Sequence, residues 1–161
     1  VFQGPYLKQF NITFFSFIPN PRLLNYISQI RVVQGMTEKT TLDPKIAEAL
    51  SGMGTIDITT VGRQSGKPRR LEIVFHNIGG RIYISGMPSP RRRSWLANLD
   101  ANPAFTFHLK GRVKADLPAQ ARIITDEAER RTVLTSVAKN WKRKDIDTMV
   151  SQSPLIEVAF E

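Results

Sequence analysis

The chain of 161 residues carries 41% hydrophobic and 23% charged side chains, the composition of one folded domain with a buried core rather than of a disordered chain. Its 23 basic and 14 acidic residues leave a net charge of +9, which points to an anionic partner: nucleic acid, a membrane surface or a phosphorylated small molecule. Cysteine is absent, which excludes disulfides, zinc–cysteine centres, iron–sulfur clusters and thiol catalysis.

Residues 1–35 are read as lying outside the functional core. Val1-Phe2-Gln3-Gly4-Pro5 matches the remnant of an engineered protease site, Met36 offers a natural start, and the folded domain is expected over 36–161. The apolar stretch 10–18 is interrupted by Asn11, Thr13 and Ser16, far short of the about 20 apolar residues a spanning helix needs. It lacks the order of a secretory signal as well, so no transmembrane segment and a cytoplasmic location are expected. Asn20-Pro21 with Leu23, Leu24, Ile27 and Ile30 predicts a capped helix ending near Gly35, and Asp43-Pro44 opens a short helix through Leu50.

The hydrophobic period then changes. Residues 55–61, 69–76 and 81–85 are β-branched, aromatic and alternating, and read as strands. The second and third are joined by Asn77-Ile78-Gly79-Gly80, whose glycines suit a tight hairpin. Residues 94–100 form a short helix stopped at Asn102-Pro103, followed by strands over 105–110, 112–116 and 121–125. A helix over 126–139, capped by Asp126, presents Val133, Leu134 and Val137 on one stripe, and a strand over 155–160 follows. Short strands without βαβ alternation predict a mainly β fold, an antiparallel barrel with peripheral helices.

The charge is concentrated. Between Val61 and Trp95 stand Arg63, Lys67, Arg69, Arg70, Arg81, Arg91, Arg92 and Arg93 against the single acid Glu72. A smaller basic group, Lys139, Lys142, Arg143 and Lys144, brackets Trp141 and reads equally well as a solvated face. The segment from Gly62 to Pro68 is one residue too short between its glycines for a phosphate loop, and Pro68 stands where a magnesium-binding hydroxyl belongs, so a nucleoside triphosphatase is excluded. As a hairpin loop it still offers an anion two glycines, the Ser65 hydroxyl and the cations Arg63, Lys67 and Arg69. The segment Gly86-Met87-Pro88-Ser89-Pro90-Arg91-Arg92-Arg93-Ser94-Trp95 leaves a strand and enters a helix. Cations at a helix N-terminus oppose the macrodipole, at about 0.3–1 kcal/mol each, and an anion seated there reverses that sign. His76 and His108 lack metal-ligand spacing, no Gly-x-Ser-x-Gly elbow occurs, and neither Glu72 nor Asp57 has an identifiable partner, so no metal and no protein catalytic group is assigned.

Thr60-Val61-Gly62-Arg63-Gln64-Ser65-Gly66-Lys67-Pro68-Arg69, the hairpin to Tyr83-Ile84-Ser85-Gly86, and Trp95-Leu96-Ala97-Asn98-Leu99 before Ala101-Asn102-Pro103 together resemble the deazaflavin (F420)-dependent nitroreductase and quinone reductase family. The likeness runs from about Ile56 to Lys110. It implies a split β-barrel similar to the FMN-binding barrels of the pyridoxamine-phosphate-oxidase type, holding reduced coenzyme F420, whose phosphodiester and oligoglutamate tail make it a polyanion. On that likeness Arg63, Ser65, Gly66, Lys67, Pro68 and Arg69 line the cofactor channel, with Ser85, Met87, Arg91, Arg92, Arg93, Ser94 and Trp95 facing them. The implied reaction is hydride transfer to an activated double bond, quinone or nitro group of a small-molecule substrate, with the cofactor supplying the chemistry. A homodimer is implied by the same likeness. The nitroreductase branch places tyrosines near its C-terminus, whereas this chain has only Tyr6, Tyr26 and Tyr83.

Other readings stay open at this level. FMN in place of F420 would give a yellow protein. A carrier that holds an anionic cofactor or lipid without turnover would bind and not react. A nucleic-acid module would stack bases on Phe105, Phe107 and His108. Confinement of the charge to two short loops argues against nucleic acid and for a compact anionic cofactor.

Overall fold

The computed structural model describes residues 42–161; the segment 1–35 and the helix expected over 20–35 lie outside the described residues. These described residues belong to one compact unit. In chain order it contains α1 (Pro44–Ala49), β1 (Met53–Val61), β2 (Pro68–Ile78), β3 (Arg81–Ser85), α2 (Ser94–Ala101), β4 (Ala104–Lys110), β5 (Lys114–Ile123), α3 (Glu127–Asn140), α4 (Ile146–Gln152) and β6 (Leu155–Phe160). The strands close into an antiparallel barrel in the order β1-β2-β3-β6-β5-β4, with β4 pairing back onto β1 through Asp57↔His108 to Thr60↔Phe105. The expected mainly β barrel is the observed architecture. Among the described residues no helix is long and apolar enough to cross a membrane.

Period-two alternation decides which side chains enter the barrel. In β1, Ile56, Ile58 and Thr60 are buried, while Asp57 and Thr59 lie between them on the outer face. Phe105, Phe107 and Leu109 do the same in β4. Phe107, fully buried, meets Phe75 and Phe160 edge-on at ring separations of 5.7 and 5.3 Å, the geometry that aromatic quadrupoles favour. The outer polar residues find partners across strands. Lys110 donates to Asp57 at 2.7 Å and to Glu72, and Arg70 reaches Asp57 at 3.0 Å. Chiefly through the Lys110 hydrogen bond, and then that from Arg70, the Asp57 carboxyl is held below its ordinary range.

A second cluster sits outside the barrel, where Val133, Leu134 and Val137 of α3 and Met149 and Val150 of α4 cover Tyr83, Ile124 and Leu155. Those three residues of α3 are the stripe read from sequence. Asp126 caps the helix by accepting from the Glu129 N–H at 2.8 Å.

The structure corrects three element boundaries. The strands expected over 112–116 and 121–125 are one strand, Lys114–Ile123, that runs through Pro118. The Pro118 carbonyl accepts from Glu161 N beyond the ladder with β6, whose last partner on this side is Ala119↔Phe160. Pro118 therefore sits at the end of the β5–β6 ladder, where its missing N–H costs only a terminal bond and the strand tolerates it. The strand expected over 69–76 extends from Pro68 to Ile78. Helix α4 had no counterpart in the sequence reading.

Candidate functional site

The two basic segments meet at one rim of the barrel. β1 and β2 are joined by a tight turn in which Gly62 N donates to the Lys67 carbonyl at 2.9 Å and Gly66 N to the Gly62 carbonyl at 2.7 Å. Gly66 has φ +64, which glycine adopts without a Cβ penalty. Gly62 is required for a different reason: a Cβ there would lie 2.6 Å from Ser65 Oγ and 3.2 Å from the Lys67 carbonyl oxygen. Opposite this turn the chain from Gly86 to Arg93 enters α2, with Arg93 as N-cap and no side-chain hydrogen bond closing the helix start. The first-turn N–H groups of such a helix have no intrahelical acceptor.

Between turn and helix lies a cleft of about 620 Å³ lined by Gly62, Arg63, Gln64, Ser65, Arg69 and Leu71 on one side and Arg93, Ser94, Trp95 and Asn98 on the other. Among the described residues no carboxylate lines it. The ion pairs among the described residues explain which cations remain available there: Arg70 is held by Asp57, Arg81 by Glu157 and Arg92 by Asp100 at 2.9 Å, whereas Arg63, Arg69 and Arg93 form no pair with an acid. The cleft therefore combines three guanidinium groups, a hydroxyl on each wall and the open start of a helix, a donor set that matches an anion. Trp95 is 8% exposed and belongs to the barrel core; its packing fixes the helix start.

The structure brings together Arg63, Ser65, Arg69, Arg93, Ser94 and Trp95 from the residues singled out by sequence. Gly66, Lys67 and Pro68 form the turn and its exit without lining the cleft. Met87 is 51% exposed, its carbonyl accepting from Arg93 at 3.4 Å and its sulfur from Arg143 at 3.6 Å. Arg91 and Arg92 face a neighbouring cleft that Arg93 also lines. Ser85 does not line the cleft: it is 1% exposed and its hydroxyl donates to the Pro154 carbonyl at 2.9 Å, which ties β3 to the start of β6.

Asn98 was missed as a site residue, although its motif was noticed. Its Oδ1 accepts from the Arg63 backbone N–H at 3.1 Å and its Nδ2 donates to Thr60 Oγ1 at 3.2 Å. One buried amide thus fastens the turn, β1 and α2 together. The signal was available: Asn98 follows Ser94 by one helical turn, which puts both on one face. A separate concavity of about 480 Å³ at the Gly54 end of β1 has an apolar floor of Phe75 and Leu109 and mixed rim charges, Lys45, Glu48, Lys110 and Arg112, with no convergent set of donors.

Similar solved structures share this fold. The conserved hypothetical protein Rv2991 from Mycobacterium tuberculosis is 18% identical, with a TM-score of 0.60 over 74% of this chain and 80% of that one. A Listeria innocua protein provisionally assigned as a pyridoxamine 5′-phosphate oxidase is 17% identical, with a TM-score of 0.54 over 73% of this chain and 91% of that one. A structure described as a domain-swapped dimer is 19% identical, with a TM-score of 0.51 over 87% of this chain and 100% of that one. The family model for F420H(2)-dependent quinone reductase matches residues 29–158, which span both walls of the basic cleft and β1 to β5 and end within β6. The chain belongs to the F420H(2)-dependent quinone reductase family and is an F420-dependent oxidoreductase.

Proposed function

We propose that this enzyme binds F420 in the cleft between the Gly62–Arg69 turn and the start of α2, and that its acceptor is a quinone or an activated double bond. One observation carries the placement: a cleft of about 620 Å³ in which Arg63, Arg69 and Arg93 converge with no lining carboxylate. Three guanidinium groups brought together without counter-charge repel one another, and a phosphate or carboxylate between them relieves that repulsion. The donor set fits an anionic cofactor on this ground. When bound, the deazaflavin supplies the hydride; the protein supplies position and field.

Each residue of the cleft has a task that follows from its surroundings. Arg63 and Arg69 hold anionic oxygens from the turn, and Arg93 with the Ser94 and Trp95 N–H groups holds them from the helix. Asn98 keeps the Arg63 backbone in place, and Leu71 and Trp95 give the cleft its apolar wall against a flat ring. The family's description as a quinone reductase supports a quinone as the acceptor. The working form is read as a homodimer, on the likeness to a structure described as a domain-swapped dimer; light scattering after size exclusion checks it.

The test is titration with F420 across a range of salt, followed by turnover with quinones, enones and nitroaromatics. Arg69→Ala together with Arg93→Ala is expected to weaken cofactor binding by more than about 100-fold, since each charge-assisted hydrogen bond is worth about 1.5–3 kcal/mol. Unchanged affinity in that variant overturns the placement.

A further inference from the structure

The outer face of the barrel carries a chain of hydrogen bonds that the cofactor cleft does not use. His108 on β4 stands directly opposite Asp116 on β5. Thr59 on β1 lies diagonally across from it, its own partners being Thr106 on β4 and Arg70 on β2. Opposite and diagonal neighbours on one face are within reach of a long side chain, and His108 reaches both. Its Nδ1 is 2.6 Å from Asp116 Oδ1 and its Nε2 is 2.7 Å from Thr59 Oγ1. A carboxylate only accepts, so Nδ1 carries the proton, and Nε2 of the neutral ring accepts from the Thr59 hydroxyl. His108 is 7% exposed, and bonds at both nitrogens fix its tautomer and its orientation. A hydroxyl, an imidazole and a carboxylate joined in this order and polarity are the arrangement that activates an oxygen nucleophile for acyl transfer.

We propose that Thr59, His108 and Asp116 form a second active site, which hydrolyses small uncharged esters without F420. Thr59 is half-buried and lines a concavity of about 270 Å³ with Val61, Ala104, Thr106 and Pro118. The Glu161 carboxylate at the same concavity disfavours an anionic acyl group. Donors flank the nucleophile on both sides: the Thr106 hydroxyl, and Arg70, which binds Asp57 through Nε and so keeps its Nη groups for a ligand. In the first half-reaction Thr59 Oγ1 attacks the ester carbonyl carbon while its proton passes to His108 Nε2, and Arg70 and Thr106 meet the oxyanion. The bond to the leaving alcohol breaks, His108 returns the proton to that oxygen, and the acyl group stays on Thr59. Water then attacks the acyl carbon, its proton passes through His108 to Thr59 Oγ1, and the acid departs. Ester and water become acid and alcohol, with no electron transferred. Asp116, whose side chain is 75% exposed, is a positioning residue with a charge screened by solvent. The site is separate from the cofactor cleft, since the neighbouring Thr60 hydroxyl is buried on the inner face and bonded to Asn98.

The experiment uses the full chain without F420 and p-nitrophenyl acetate as the probe, read by release of p-nitrophenolate and by peptide mass spectrometry after an acid quench. An acetyl group is expected on Thr59. Thr59→Val, which keeps the shape and removes the hydroxyl, is expected to lose both acetyl group and turnover, and Thr59→Ser to retain both. His108→Gln is expected to lower kcat by at least about 100-fold, the scale of a general base. Asp116→Asn is expected to lower kcat by about fivefold with KM unchanged, the scale of an exposed charge pair. Urea unfolding confirms that each variant is folded; if His108→Gln is not, the Val and Ser variants at Thr59 decide alone. Acetylation confined to lysines, turnover that survives Thr59→Val, or variants that lose stability while the parent shows no acetyl-Thr59 overturns the site and leaves a purely structural bond chain. Since F420 is absent throughout, the result is independent of the cofactor placement proposed above.

Discussion

Replacing Asn98 by alanine tests whether one buried amide holds the cofactor cleft in shape. The substitution removes the acceptor of the Arg63 N–H and the donor to Thr60 Oγ1. Thr60 is fully buried, so its hydroxyl loses a partner where water does not reach it, at about 1–2 kcal/mol; the Arg63 N–H is nearer solvent and costs about 0.5–1 kcal/mol. The sum is about 1.5–3 kcal/mol, which for a chain of this size lowers the unfolding midpoint by about 5–10 °C. The turn is also released, so F420 affinity falls with stability. Denaturant unfolding measures the first effect and cofactor titration the second. A double-mutant cycle with Thr60→Val isolates the shared bond, with about 1 kcal/mol of coupling expected. A cost under about 0.5 kcal/mol in Asn98→Ala, or a coupling of zero, refutes the reasoning.

Gly62→Ala is expected to destabilise the protein by more than 1 kcal/mol, because its Cβ meets Ser65 Oγ at 2.6 Å and the less yielding Lys67 carbonyl at 3.2 Å. Gly52→Ala, with nothing within 4 Å, is the control and is expected to be neutral or mildly stabilising; equal effects at the two positions contradict the close approach. His76 is fully buried, and burial lowers its pKa from 6.5 to about 4. Its folded-state value lies below its unfolded value, so the unfolded chain binds more protons between pH 6.5 and 4, and stability falls as pH drops through that window, by about 3 kcal/mol. Urea unfolding of His76→Phe and the parent is expected to differ in pH slope within that window, and parallel slopes count against the buried neutral imidazole. F420 affinity is expected to fall as ionic strength rises toward 1 M; a salt-independent dissociation constant removes the role given to Arg63, Arg69 and Arg93.

The parts of the site that were legible in the sequence are those whose residue types serve one local purpose. Gly62 and Gly66 announce a turn, the run from Arg91 to Arg93 announces charge at a helix start, and the alternation of Ile56, Ile58 and Thr60 announces a strand with one buried face. What sequence order conceals is where a side chain spends its hydrogen bonds. Arg92 and Arg93 are adjacent and chemically identical, yet one is held by Asp100 and the other opens into the cleft. Ser85 and Ser94 read alike, yet Ser85 is consumed by the Pro154 carbonyl. The single strand Lys114–Ile123 is not legible either, since a proline within it is tolerated only because Pro118 falls one position past the last registered pair with β6, Ala119↔Phe160.

The strand order has a consequence for how the molecule assembles. β6 lies between β3 and β5, joined to Ile82–Ser85 on one side and to Ala119–Ile123 on the other. Before β6 docks, β1 to β5 form an open sheet with two bare edges, each a template for association with another copy. Closing those edges requires contacts distant in sequence, which slows folding. Ser85 and Pro154, bonded across the β3–β6 seam, lie on one of those closing edges, and substitutions there are expected to raise aggregation during refolding.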